Sequence, residues 1–176
     1  MKMKNIAILV SGLVLSTAAL ADNTIKFQGE VADQTCDISI NGNASTPLIL
    51  LPTVSTTALA SSGATAGQTP FTIGLTGCTA STTATTAIKT IFVGNNLTAD
   101  GRMGNTGTAG SVTLQLVDPA SPTLPLDLTG QTGAPGLSLA TNATSASYDF
   151  AVEYYAEGTA TPGSVLGSVQ YSVSYQ

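Results

Sequence analysis

Two carboxylates four residues apart, Asp33 and Asp37, are the nearest this chain comes to a catalytic pair. Paired carboxylates are the machinery of glycoside hydrolysis, but beside Cys36 these two read better as solvated charges at a strand end. Asp100-Gly101, with Asn95 and Asn96 before it, offers oxygen ligands without the spacing of a calcium-binding loop, so it reads as a turn. The sequence has no histidine and no tryptophan. A Ser-His-Asp or Cys-His constellation therefore cannot be built, and the usual zinc and copper sites lose their commonest ligand. Asn43-Ala44-Ser45, Asn96-Leu97-Thr98 and Asn142-Ala143-Thr144 match the glycosylation pattern, which chance explains in a chain so rich in Asn, Ser and Thr. No catalytic, cofactor or metal site is assigned, and the expectation is a protein that is not an enzyme.

The remaining reactive residues are Cys36 and Cys78. In an exported chain two cysteines read as one structural disulfide. A metal or redox pair is the alternative, disfavoured because the two lie far apart with no histidine to join them.

Export itself is expected from the first residues. Lys2 and Lys4 precede an apolar run from Ile6 to Leu15, and Ala19-Leu20-Ala21 has the small residues of a cleavage site. This is a secretory signal peptide over residues 1–21, cut before Asp22; the run is shorter than the ~20 residues a membrane span needs. After cleavage only Lys26, Lys89 and Arg102 remain to oppose ten acidic side chains, so neither nucleic acid nor an anionic membrane is an expected partner. Charge is sparse; hydroxyls keep the chain in solution, a composition that suits an all-β domain with many turns.

The elements follow from alternation, because successive side chains on a strand point to opposite faces. Ile25, Phe27, Gly29 and Val31 alternate with Thr24, Lys26, Gln28 and Glu30. A segment around Cys36, Ile38 and Ile40 ends at the turn Asn41-Gly42-Asn43. Leu48 to Leu51 is an apolar run closed by Pro52. Phe71, Ile73 and Leu75 lead to Cys78; Ile88 to Val93, weakly alternating and rich in β-branched residues, reads as a largely buried strand; Val112, Leu114 and Leu116 run to a turn at Asp118-Pro119. Leu124, Leu126 and Leu128 suggest a short edge strand, and Tyr148, Phe150, Val152 and Tyr154 the next to last. Gly163 to Gln176 is the most regular segment, with Val165, Gly167, Val169, Tyr171, Val173 and Tyr175 on one face and mainly polar residues on the other. No helix is expected beyond a turn near Ser55 to Ala60, and residues 119–147 read as a variable loop. About eight strands at this spacing point to a single-domain β-sandwich with Greek-key connections.

Phe27-Gln28-Gly29-Glu30-Val31, the cysteine pair and the ending Val173-Ser174-Tyr175-Gln176 together resemble the type 1 fimbrial subunit family of the chaperone–usher pathway. Leu51-Pro52-Thr53-Val54 and Pro70-Phe71-Thr72-Ile73 look similar to major shaft pilins of fimbriae whose tips carry N-acetylglucosamine-binding lectins. The resemblance covers the whole mature chain. It implies an incomplete immunoglobulin-like sandwich, completed by a donor strand from a neighbouring subunit. Residues 22–34 would be the donor segment and residues 35–176 the pilin domain. Ile25, Phe27 and Val31 would enter a neighbour's groove, with Gly29 at a shallow point. Gly163, Val169, Tyr171, Val173 and Tyr175 would form the strand that the groove and the periplasmic chaperone contact. The implied partners are neighbouring pilins, that chaperone and an outer-membrane usher, and the implied destination is a surface fimbria supporting cell adhesion. The rival readings are a minor adaptor or terminator pilin and a glycan-binding adhesin; the latter would need room for a lectin domain.

Overall fold

The computed structural model describes Val31 and residues 35–45 and 47–176. The expected signal peptide and the donor residues Ile25, Phe27 and Gly29 lie outside the described residues. Val31 is fully exposed.

Eight strands make up the described part: β1 (Asp37–Ile40), β2 (Thr65–Thr76), β3 (Thr86–Gly94), β4 (Met103–Gly104), β5 (Val112–Val117), β6 (Ala134–Leu139), β7 (Ala146–Ala156) and β8 (Val169–Tyr175). They form two antiparallel sheets, ordered β1-β2-β7-β5-β4 and β6-β3-β8. The fold is all-β, as expected. Between β1 and β2 a single 3₁₀ turn, Thr56–Leu59, is capped by the Ser55 hydroxyl, which accepts from the Thr57 N–H. Asn-Gly at 41–42 closes its turn with both residues at positive φ, 51° and 77°, which that dipeptide tolerates and most residues do not.

The sheets meet over an apolar core. Phe71 and Phe150 of the larger sheet pack against Phe92 of the smaller one, with Ile73, Leu75, Ile88, Leu116, Leu137 and Leu139 around them. The disulfide joins Cys36, just before β1, to Cys78, just after β2, with their Cα atoms 4.2 Å apart. The adjacent pair Asp37↔Thr76 opens the β1–β2 ladder, so the bridge staples the end of that hairpin-like pair.

Several expected elements differ. β2 starts at Thr65 rather than near Phe71, with an irregularity between Ala66 and Thr69 that lets it follow β7 further. β3 is half-buried rather than largely buried: Ile88, Thr90 and Phe92 face inward while Lys89 and Val93 face solvent. The strand buried on both faces is β5. Its outer side is roofed by the 118–129 stretch, where the Leu126 N–H donates to Leu116 O at 2.8 Å. Gln115 there donates to Glu153 at 2.7 Å and accepts from Arg102, whose guanidinium lies 3.6 Å from the centre of the Tyr155 ring.

Leu124 to Leu128 is not a strand. It crosses between sheets with isolated bridges at Pro125 and Thr129, and the Gly94 N–H donates to Leu128 O. The reading of residues 119–147 as loop missed β6, whose Pro135 and Gly136 are poor strand residues. Gly136 sits at φ 116°, pressed flat against the Tyr148 ring, a place no side chain could share.

Candidate functional site

The last strand is shorter than the alternation suggests. β8 spans Val169–Tyr175, whereas residues 164–168 belong to the other sheet's periphery. There the Ala109 N–H donates to Ser164 O and the Thr106 N–H to Leu166 O, while the Leu166 N–H donates to Asn105 Oδ1. The chain then switches sheets: the Asn95 N–H takes Ser168 O, and β8 pairs with β3 from Gly94↔Val169 to Ile88↔Tyr175. Gly163 therefore lies outside β8. It packs against the backbone of Thr108 and Ala109 too closely to accept a Cβ atom.

β8 has β3 on one side and is the last strand of its sheet among the described residues. Val169, Tyr171, Val173 and Tyr175 point toward the core yet stay half-exposed. An inward face that is not covered needs an explanation, and the space beside it supplies one. An apolar cavity of about 200 Å³ opens between residues 47–51 and residues 167–171. Phe71, Phe92, Met103, Leu114, Leu116 and Val152 line it between those walls, so its floor is the sandwich core itself. Along the same two walls a second cavity of about 360 Å³ lies between Thr53–Thr56 and Ala160–Val165.

The wall opposite β8 is an extended segment that sequence reading marked only as an apolar run. Pro47 and Pro52 bracket it; Ile49 and Leu51 pack on the core while Leu48 and Leu50 face outward. Among the described residues its backbone makes no hydrogen bond to other backbone from Pro47 to Leu51 and none to residues 167–171, while Pro52 O accepts from the Tyr154 hydroxyl at 3.2 Å. Backbone polar groups left without partners are a standing cost that an added strand would remove. The signal available in the sequence was an unbroken apolar run, Leu48 to Leu51, held between two prolines.

Among the described residues no charged side chain lines the main cavity. Its chemistry is that of an apolar slot between two strand-like edges, suited to take an extended peptide with apolar side chains every second residue. Among the described residues no group of three or more His, Cys, Asp or Glu side chains could hold a metal. No helix among them is long and apolar enough to cross a membrane.

Comparison with known proteins gives this geometry its context. A family model described as fimbrial protein matches residues 25–176. The major fimbrial subunit SMF-1 of Stenotrophomonas maltophilia is 40% identical over 90% of this chain and 95% of its own. The F17 fimbrial protein of Escherichia coli is 37% identical over 92% of each chain. The type-1 fimbrial protein A chain of Escherichia coli K12 is 31% identical over the full length of both. Among solved structures, the P pilus rod subunit PapA superimposes with a TM-score of 0.56 at 14% identity, covering 80% of this chain and 99% of that one. A subunit of a chaperone–usher pilus solved in a study of rod uncoiling superimposes with a TM-score of 0.57, covering 92% and 99%. The fold is that of chaperone–usher pilins, an incomplete immunoglobulin-like sandwich, and the chain belongs to the fimbrial protein family as a structural pilin subunit.

Proposed function

We propose that this pilin polymerises by donor-strand exchange, residues 22–34 of one copy filling the groove between residues 47–51 and β8 of the next. The observation that carries the reading is the open apolar slot with the half-exposed Val169, Tyr171, Val173 and Tyr175 along one wall. β-strand addition of this kind, of which donor-strand complementation of pilins is a known instance, takes affinity from backbone hydrogen bonds and specificity from alternate side chains. Ile25, Phe27 and Val31 have the required spacing. Burying each contributes roughly 1.5–3 kcal/mol before ordering costs. Gly29 suits the point where the inserted backbone passes closest to the floor.

A head-to-tail contact does not close on itself, so it grows a filament. The same slot would hold a strand of a periplasmic chaperone before assembly at an outer-membrane usher. Residues 1–21 would direct export, and the fibre would stand on the cell surface in the service of adhesion.

The test is thermal unfolding of a variant lacking residues 1–34, with and without a peptide copied from Asp22 to Gln34. The peptide should raise the melting temperature sharply, since it binds the folded state alone. A variant that is already stable and indifferent to the peptide would mean the sandwich is complete without a donor.

A further inference from the structure

Leu48 and Leu50 are 80% and 77% exposed, two positions apart on the groove's wall, with Leu48 at the cavity's mouth; they are the most exposed leucines among the described residues, ahead of Leu124 and Leu166 at 66% and 58%. Exposed leucines scattered singly need no account, but these two stand on one strand-like segment whose alternate residues, Ile49 and Leu51, enter the core. The facing wall, residues 167–171, carries Ser168 and Gln170 as its exposed polar side chains, both uncharged. Nothing among the described residues reaches over the two leucines.

We infer that Leu48 and Leu50 form a recognition rim for a second copy of this chain, gripping the outward face of its donor segment. The inference rests on the donor-strand reading. A strand laid between residues 47–51 and β8 sends alternate side chains into the groove and the others outward, flush with the rim. In residues 22–31 the inward set is Ile25, Phe27, Gly29 and Val31, which leaves Lys26, Gln28 and Glu30 facing out. Residues directly across from each other on one face of adjacent strands lie within contact distance. Long polar side chains cover apolar surface with their methylene stems while their heads stay in water. Lys26, Gln28 and Glu30 are three such residues in a chain that has few, and Leu48 and Leu50 are the apolar surface beside the path they would follow.

The rim is continuous with the groove, so its contribution adds to that of the inward side chains and is independent of them. It also discriminates. A donor with Ser or Thr at the outward positions would fill the groove yet leave the two leucines in water. Among the described residues the segment's backbone has no backbone partner from Pro47 to Leu51, so its donors and acceptors there can pair with the incoming strand.

A double-mutant cycle tests this. The acceptor is the mature chain without residues 22–34, in wild-type form and as the Leu48→Ser/Leu50→Ser variant. The ligand is the peptide Asp22–Gln34, in wild-type form and with Lys26, Gln28 and Glu30 all replaced by serine. The acceptor change should weaken binding of the wild-type peptide about five- to tenfold, the sum of two cross-strand contacts. The same change should leave affinity for the serine peptide unaltered. Equal affinity of both acceptors for the wild-type peptide overturns the rim, and so does an equal loss with both peptides. Failure of the wild-type peptide to bind the wild-type acceptor overturns the donor-strand reading beneath it. If peptide affinity is unchanged but whole fibres of the leucine variant dissociate sooner, the leucines serve contacts between subunit bodies, and the rim is again overturned.

Discussion

Phe92 of β3 and Phe150 of β7 meet edge to face across the two sheets, ring centroids 5.4 Å apart and planes at 87°. Phe150 is wholly buried and Phe92 forms part of the groove floor, so one aromatic contact joins the sandwich to the site. Edge-to-face rings contribute beyond the area they bury.

Replacing Phe150 with Ala should therefore destabilise the subunit by about 3–5 kcal/mol, as a large side chain lost from a closed core does. Denaturant unfolding of the subunit complemented by its donor peptide measures this. A loss below about 1 kcal/mol would mean the sheets are held together elsewhere.

Cys36→Ser should cost about 4 kcal/mol, because the bridge closes a loop whose ends are 42 residues apart. Non-reducing digestion and mass spectrometry should recover the Cys36–Cys78 linked peptide from the exported protein. Folded subunit in the periplasm should fall in the variant. Free thiols at both positions in the exported wild type would remove the basis of the prediction.

Gly29→Arg should abolish fibres while leaving the subunit's own fold intact. Among the described residues the slot is lined almost wholly by apolar side chains and has no counter-charge, so burying a guanidinium there is strongly unfavourable. Electron microscopy of the surface reads the fibres, and circular dichroism of the purified subunit reads the fold. Normal fibres would refute the role given to Gly29.

Asp127 supplies a pH dependence. Partial burial pushes its carboxyl up, but hydrogen bonds from the Thr129 hydroxyl and from the N–H groups of Thr129 and Thr132 together outweigh that and hold it below its ordinary 3.8. The ionised form is the one that is bonded. Its contribution is present above the ordinary value and is lost as pH falls through the lower folded-state value. The melting-temperature gap between wild type and Asp127→Asn should thus narrow as pH falls below the ordinary 3.8. A gap constant across that range would show that the carboxylate's charge is irrelevant to the turn.

Much of this architecture was written in local pattern. Alternation located β1, β5 and β7, because successive side chains of a strand point to opposite faces and in each of these one face is apolar in sequence. Asn41-Gly42 announced its turn through the φ values it tolerates, while of the 3₁₀ turn only a place near Ser55 to Ala60 was legible, the Ser55 cap coming from the structure. The pairing of Cys36 with Cys78 needed only that there be two cysteines in an exported chain. What local pattern could not contain is the identity of each strand's partner. Val165 to Tyr175 alternates without a break, yet its first residues bond to residues 105–109 and its last to β3, since periodicity describes a face and not the sheet behind it. β6 escaped notice because Pro135 and Gly136 hide it, and only the Tyr148 ring lying against Gly136 makes sense of that glycine. The groove belongs wholly to tertiary structure. Its walls, Leu48 to Leu51 and Gly167 to Tyr171, are more than a hundred residues apart and share no backbone hydrogen bond. A slot is defined by the strand missing between two edges, and no single edge records in its own sequence that its neighbour is absent.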